Sequence, residues 1–200
     1  SNWDYAQQVP TTGWRSSMTR PREIQLIKKD NDYSLISNPV LELEKYYSKT
    51  QKEKKLVAKE KLEIVSSGKV DLTKAVISFR LENLKNAVYN FTLSNAKGES
   101  VTFGIKNSEN FLFLDRSKSG KIDFSEKFAS TISKALLNKN QKTADLKIVL
   151  DKTSIEIFYN NGEKVMTELF FPTQPFTSFS ASSNEGIEIN NLIINQLKTN

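Results

Sequence analysis

From about residue 76 onward, apolar and polar positions alternate with a period of two, the spacing of a strand that buries one face and wets the other. Ile77, Phe79 and Leu81 alternate with Ser78 and Arg80, and Tyr89, Phe91 and Leu93 with Asn90, Thr92 and Ser94. Asn95-Ala96-Lys97-Gly98 supplies turn chemistry before Val101, Phe103 and Ile105, and Asn107-Ser108-Glu109-Asn110 does the same before Phe111-Leu112-Phe113-Leu114. Leu146, Ile148 and Leu150 continue the pattern. Residues 154–159 meet 164–171 through Asn160-Asn161-Gly162, whose Asn-Gly pair predicts a hairpin because both residue types accept positive φ. The last strands are predicted at 186–189 and 192–194. Short strands with one apolar face each, separated by Asn/Gly/Ser turns, predict an all-β fold of two antiparallel sheets packed face to face. An up-and-down barrel produces the same periodicity.

The segment before this region has a different texture. Ile24 to Ile27 and Tyr33 to Ile36 predict a short hairpin around residues 28–32, and Asn38-Pro39 precedes a short helical stretch at 41–45. Lys49 to Lys55 reads as an exposed linker or loop. Both tryptophans of the chain, Trp3 and Trp14, fall within a polar opening that carries almost no periodic pattern. No repeat of 20 to 50 residues recurs, so a complete propeller is not contained here.

With 38% hydrophobic and 10% aromatic residues, 200 residues suffice for one main domain with a sizeable core and an appendage. The net charge of +6 comes from 29 basic against 23 acidic residues, with many lysines in the run from Lys49 to Lys61. Such a run reads as a solvated face, and with no recognition motif beside it no nucleic-acid partner is expected. The chain has no cysteine and no histidine, which excludes disulfides, thiol nucleophiles, Cys/His zinc sites and a histidine base. No cofactor and no metal are expected. No apolar run approaches the roughly 20 residues needed to cross a bilayer, so no membrane partner is expected either.

Several polar groups could carry chemistry. Asp115-Arg116-Ser117-Lys118-Ser119-Gly120 offers an aspartate, an arginine and two hydroxyls after an apolar strand, but reads as a strand end with a turn in which Asp and Ser bond the backbone. Glu156 stands alone among apolar strand residues and is expected on the solvent face of its sheet. Asp30-Asn31-Asp32 clusters oxygen ligands but lacks the rest of a calcium loop, and reads as a polar turn. Tyr46, Tyr47 and Tyr159 are candidate sugar-stacking aromatics if the sandwich binds carbohydrate.

Collinear motifs at both ends of the chain resemble the C-terminal region of glycoside hydrolase family 32, the levanases, inulinases and invertases. Asn2-Trp3-Asp4-Tyr5, Trp14-Arg15 and Met18-Thr19-Arg20-Pro21-Arg22-Glu23 are similar to the end of its five-bladed catalytic propeller, with Arg20 departing from the usual leucine. Asp115-Arg116-Ser117-x-Ser119-Gly120, Leu146 to Phe158 and Asn161-Gly162 through Val165-Met166-Thr167 to Phe171-Pro172 are similar to its C-terminal sandwich. The resemblance implies a jelly-roll-like, concanavalin-like β-sandwich at 61–200. A hairpin, short helix and linker at 28–60 and a propeller remnant at 1–27 would precede it. It implies no catalytic residue in this chain: the family's Asn-Asp-Pro, Arg-Asp-Pro and Glu-Cys motifs are absent. Asn2 and Trp3 would touch substrate only in an intact enzyme. Trp14 and Arg15 would belong to the propeller's final strands or to its junction with the sandwich. The implied parent performs retaining hydrolysis of fructosyl bonds in levan, inulin or sucrose and is exported. Its sandwich pairs with the propeller of the same polypeptide, and the parent also forms oligomers in some members. Direct binding of fructan by the sandwich is the alternative.

Overall fold

The computed structural model describes residues 3–15, 17–29, 31–66, 68–138 and 141–198, with the side chains of Lys29 and Lys49 left aside. It contains a hairpin, β1 (Arg22–Lys29) and β2 (Asp32–Pro39), then a short 3₁₀ helix (Leu41–Tyr46). Twelve further strands follow: β3 (Tyr47–Ala58), β4 (Lys61–Val65), β5 (Ala75–Leu81), β6 (Val88–Ser94), β7 (Ser100–Lys106), β8 (Phe111–Lys118), β9 (Ser133–Leu136), β10 (Ala144–Asp151), β11 (Ser154–Tyr159), β12 (Lys164–Leu169), β13 (Ser178–Ser182) and β14 (Ile187–Leu197). They form two six-stranded antiparallel sheets, β12-β11-β10-β5-β14-β3 and β4-β13-β6-β7-β8-β9, while β1 and β2 pair separately.

Alternation is what makes the two sheets face each other. Ile77, Phe79, Leu81, Ile148, Leu150 and Ile189 from one sheet meet Phe91, Leu93, Phe103, Ile105, Leu114 and Phe179 from the other in one continuous core. Four phenylalanines form its centre, with ring centroids 4.9 Å apart for Phe79–Phe91, 5.6 Å for Phe91–Phe103 and 6.1 Å for Phe103–Phe179. Each such ring contributes roughly 1.5–3 kcal/mol by leaving water. Gly104 of β7 allows the close approach of β6 within the same sheet, because a Cβ there would lie 1.9 Å from the Tyr89 carbonyl oxygen.

The outer face of the first sheet is also covered. Val76, Val149 and Phe158 are buried there under Leu43 of the 3₁₀ helix, Tyr47 and Val165. Arg22 at the start of β1 lays its guanidinium 5.2 Å from the Phe158 ring. This second layer corrects the expectation for Glu156. Its side chain points away from the core as the alternation requires, yet only 4% of the residue is exposed, because the chain before β1 lies on top of it.

The expected linker at Lys49–Lys55 is also corrected, since it lies within β3, the edge strand paired with β14 from Ala58↔Ile187 to Tyr47↔Leu197. An edge strand has a neighbour on one side only and large solvated surfaces, so apolar alternation is not demanded of it. The two final strands predicted separately are one strand, β14. Asn191 takes φ 53° and the register with β5 shifts between Asn190 and Ile193, so the chain kinks without leaving the sheet. The predicted hairpin between β11 and β12 is present, with Asn160, Asn161 and Gly162 all at positive φ.

Candidate functional site

The densest polar constellation lies along one lateral side of the sandwich, where β12 and β9 are the edges of their sheets. Leu112, Leu114 and Arg116 follow one another at a spacing of two on β8, so Arg116 is delivered to the inner face beyond the apolar pair. There its guanidinium meets Glu168 of β12 at 3.0 Å, an ion pair that crosses from one sheet to the other. Arg116 also donates to the Leu169 carbonyl at 2.8 Å and to the Tyr5 hydroxyl at 3.2 Å, and it stacks 4.1 Å from the Phe128 ring. Glu168 accepts a further hydrogen bond from the Ser133 hydroxyl of β9 at 2.5 Å.

Tyr5 belongs to an arm that precedes β1. It packs edge-on against Phe128, centroids 5.1 Å apart, and joins Val9, Leu169 and Phe171 in a separate buried cluster. Further along, Glu156 of β11 accepts the Arg20 backbone N–H at 2.8 Å and an Arg22 guanidinium hydrogen at 2.5 Å. Arg22 donates as well to the Thr167 hydroxyl at 2.7 Å. The second strand ties down the same open end of the hairpin, where the Ser37 N–H donates to the Gly162 carbonyl at 3.1 Å and Asn38 to the Asn161 carbonyl at 2.7 Å. Gly162 is required here by both its φ of +84° and its neighbours, since a Cβ would sit 2.4 Å from the Ser37 oxygen.

Arm and sandwich leave between them a cleft of about 390 Å³, lined by Met18 and Thr19 of the arm and by Arg116, Ser130, Glu156 and Glu168 of the sandwich. Retaining glycosidases place two carboxyl groups about 5–5.5 Å apart, one free to attack and one free to exchange a proton. In this cleft each carboxylate already accepts from a guanidinium, and in addition from a backbone N–H or a serine hydroxyl. The arrangement fastens an arm and two sheets together.

The remaining sequence candidates do not converge on one place. Trp3 is 89% exposed and Trp14 is also exposed, while Asn2 lies outside the described residues. Arg15 turns back to the Gln7 carbonyl within the arm. Tyr46 is exposed, Tyr47 is half-buried in the outer layer and Tyr159 is buried in the core, so the three tyrosines share no surface for a sugar. Burial, with the Glu163 carboxylate beside it, pushes the Tyr159 phenol up to about 12. Asp115 accepts from the Ser117 N–H at 2.8 Å within β8, and the expected turn follows it, with the Ser119 N–H donating to the Arg116 carbonyl at 3.0 Å and Gly120 at φ 108°. What the sequence reading missed was that Arg116 is buried against Glu168, and its position in register with Leu112 and Leu114 was the available signal. Among the described residues no group of three or more acidic side chains is placed to hold a metal, and Asp30 of the Asp30-Asn31-Asp32 turn lies outside them.

Fold and site together define a two-sheet β-sandwich domain with an N-terminal arm and hairpin laid over one sheet. The model for the C-terminal domain of glycosyl hydrolases family 32 matches residues 42–197, and the chain belongs to this family. It is 29% identical over 200 residues to the levanase of Bacillus subtilis (strain 168), covering 99% of this chain and 30% of that protein. It is 26% identical over 187 residues to the extracellular exo-inulinase of Aspergillus niger, covering 86% of this chain and 33% of that one. Its fold is shared with the exo-inulinase of Aspergillus awamori, at a TM-score of 0.82 with 22% identity over 99% of this chain and 39% of the other. The β-fructofuranosidase of Schwanniomyces occidentalis gives a TM-score of 0.80 with 22% identity, over 100% of this chain and 44% of that one. The chain thus spans about a third of the length of its curated relatives. The beginning of the matched family region at residue 42 agrees with β3 being part of the sandwich.

Proposed function

We propose that this chain is the non-catalytic C-terminal module of a fructan-degrading glycoside hydrolase, and that its role is to stabilise the catalytic propeller of the same polypeptide. The proposed parent cleaves fructosyl bonds with retention, in levan or inulin as the names of the levanase and exo-inulinase relatives suggest, or in sucrose. One observation carries the reading. The hairpin is anchored to the sandwich through Glu156, Gly162 and Asn161, yet one of its faces is apolar and uncovered: Ile24 is 64% exposed, Leu26 67%, Tyr33 62% and Leu35 60%. The pairings Leu26↔Leu35 and Lys28↔Tyr33 put these side chains on the same side of the hairpin. A patch of this kind marks an interaction surface, and here the propeller of the parent would cover it. Trp3, exposed on the arm that precedes the hairpin, would then stand at the rim of the sugar pocket, and Asn2 is proposed to contact substrate only in the intact enzyme.

Two measurements test this. The purified chain incubated with levan, inulin and sucrose is expected to release no fructose, and release with contaminating enzyme excluded would refute the non-catalytic role. In the full-length parent, Leu26→Ser with Leu35→Ser is expected to lower the propeller's unfolding temperature while leaving that of the isolated chain within a degree or so, because both side chains are already in water there. An unchanged parent would refute the docking role. The alternative, a module that holds fructan directly, predicts saturable binding of levan or inulin oligosaccharides to the isolated chain. The scattering of Tyr46, Tyr47 and Tyr159 over three environments favours the first reading.

A further inference from the structure

The positive charge of this protein is concentrated in one place. Between Lys45 and Lys61 stand seven lysines against two glutamates, a surplus of five in a chain whose total is +6. The fold turns this run into a surface strip. β3 is the last strand of its sheet and β4 the last of the other, so the two strands and the Lys59-Glu60 turn between them form the lateral side of the sandwich opposite the Arg116–Glu168 pair. Lys45, Lys52, Lys54, Lys55, Lys59 and Lys61 are all exposed. Of these lysines, Lys55 alone forms an ion pair among the described residues, with Glu188 at 2.7 Å. At about 3.3 Å per residue, the strand itself spans roughly 40 Å.

Blocking edge-to-edge pairing needs only a lysine or two on an edge strand. Along β3, the turn and β4 six lysines stand against Glu53, Glu60 and Glu63, and Glu188 neutralises Lys55, so lysines still outnumber carboxylates on the strip; the surplus repels the lysines from one another and weakens the folded state, unless an anion collects there. The chemistry narrows the partner. There is no arginine between residues 45 and 61, hence no planar fork for phosphates, and Tyr47 is packed in the outer layer rather than offered to bases. Val57 is the one large apolar side chain exposed within β3, too little to insert into a lipid surface. Lysine point charges at strand spacing along a straight edge match an extended polymer with repeating carboxylate or sulfate groups.

We propose that the β3–β4 edge is a docking strip for a linear acidic polysaccharide, separate from the arm cleft and independent of the stabilising role above. The test is affinity electrophoresis of the full chain through gels containing polygalacturonate, with neutral dextran as the blank. Retardation is expected with polygalacturonate only, and apparent affinity should fall about tenfold or more between 50 and 200 mM NaCl as released counterions are opposed by salt. The variant Lys52→Gln, Lys54→Gln, Lys59→Gln, Lys61→Gln should lose at least tenfold in affinity. Its counterpart with arginine at the same four positions should bind like the parent chain, which separates lost charge from lost folding. A charge-matched control, Lys97→Gln, Lys118→Gln, Lys121→Gln, Lys164→Gln, removes four exposed lysines from other surfaces and should retain binding within twofold. No retardation of the unaltered chain, or equal loss in the two glutamine variants, would overturn the proposal. So would preference for acidic phospholipid vesicles or for RNA over polygalacturonate at equal salt.

Discussion

Replacing Glu156 by alanine should detach the hairpin from the sandwich while leaving the two sheets folded. The carboxylate accepts two hydrogen bonds that hold the arm and hairpin, from the Arg20 N–H at 2.8 Å and from the Arg22 guanidinium at 2.5 Å. Hydrogen bonds to a charged group contribute about 1.5–3 kcal/mol each, so the pair accounts for roughly 3–6 kcal/mol. The low end applies. The Arg22 side chain is 20% exposed and can rehydrate, and it keeps its contacts with Thr167 and Phe158. A loss of about 3 kcal/mol, at 1.36 kcal/mol per decade, raises the population of the detached state by roughly 150-fold. A two-stranded hairpin without a surface to lie on is marginal in water, so detachment exposes its amides. Native-state hydrogen exchange read by mass spectrometry should therefore show protection of β1 and β2 falling by about two decades, while peptides from β6 and β7 stay within a factor of a few. Both tryptophans precede β1, so their fluorescence should report the same event independently of the core. Glu156→Gln, which keeps an acceptor for the Arg20 N–H, should lose less. Equal loss of protection in the hairpin and in β6–β7, or no loss in either, would refute the view that Glu156 fastens the arm.

Arg116→Met takes the guanidinium from Glu168, the Leu169 carbonyl and the Tyr5 hydroxyl, leaving Glu168 only the Ser133 hydroxyl, and urea unfolding should show about 3–5 kcal/mol lost; adding Glu168→Met should recover part of this, since the carboxylate without its cation goes too. Gly162→Ala places a Cβ 2.4 Å from the Ser37 oxygen at φ +84°, and should weaken both the β11–β12 turn and the seating of β2, seen as a lower melting temperature with faster hairpin exchange. The Tyr159 phenol, raised from 10.0 to about 12, binds its proton more tightly in the folded state; stability is retained below pH 10 and falls by roughly 3 kcal/mol as pH rises toward 12, and Tyr159→Phe should remove that part of the alkaline loss in a pH series of chemical denaturation.

Much of the sandwich could be read directly from the chain. Where both neighbours of a strand lie in the same sheet and one face is buried, alternation is enforced, as in β5, β6 and β7, and the Asn160-Asn161-Gly162 turn carries its own backbone signature. The strands that escaped notice are short or sit at the margins. β4 and β9 are edges, β13 is a five-residue run in which Phe179 is the one large side chain, and β3 is a lysine-rich edge that burial barely constrains.

The absence of cysteine and histidine, the all-β class and the likeness of several motifs to family 32 are properties of the residue order alone, because each depends on identity or on spacing within a few positions. The partners of Glu156, Glu168 and Arg116 depend on something else. Their side-chain hydrogen bonds and ion pairs join residues 35 to 136 positions apart. Whether a charged side chain on a strand is solvated or sealed depends on what lies over that strand, and no local pattern records it. Glu156 has the alternation of a surface residue and is buried only because the chain some 135 residues earlier folds back across its sheet.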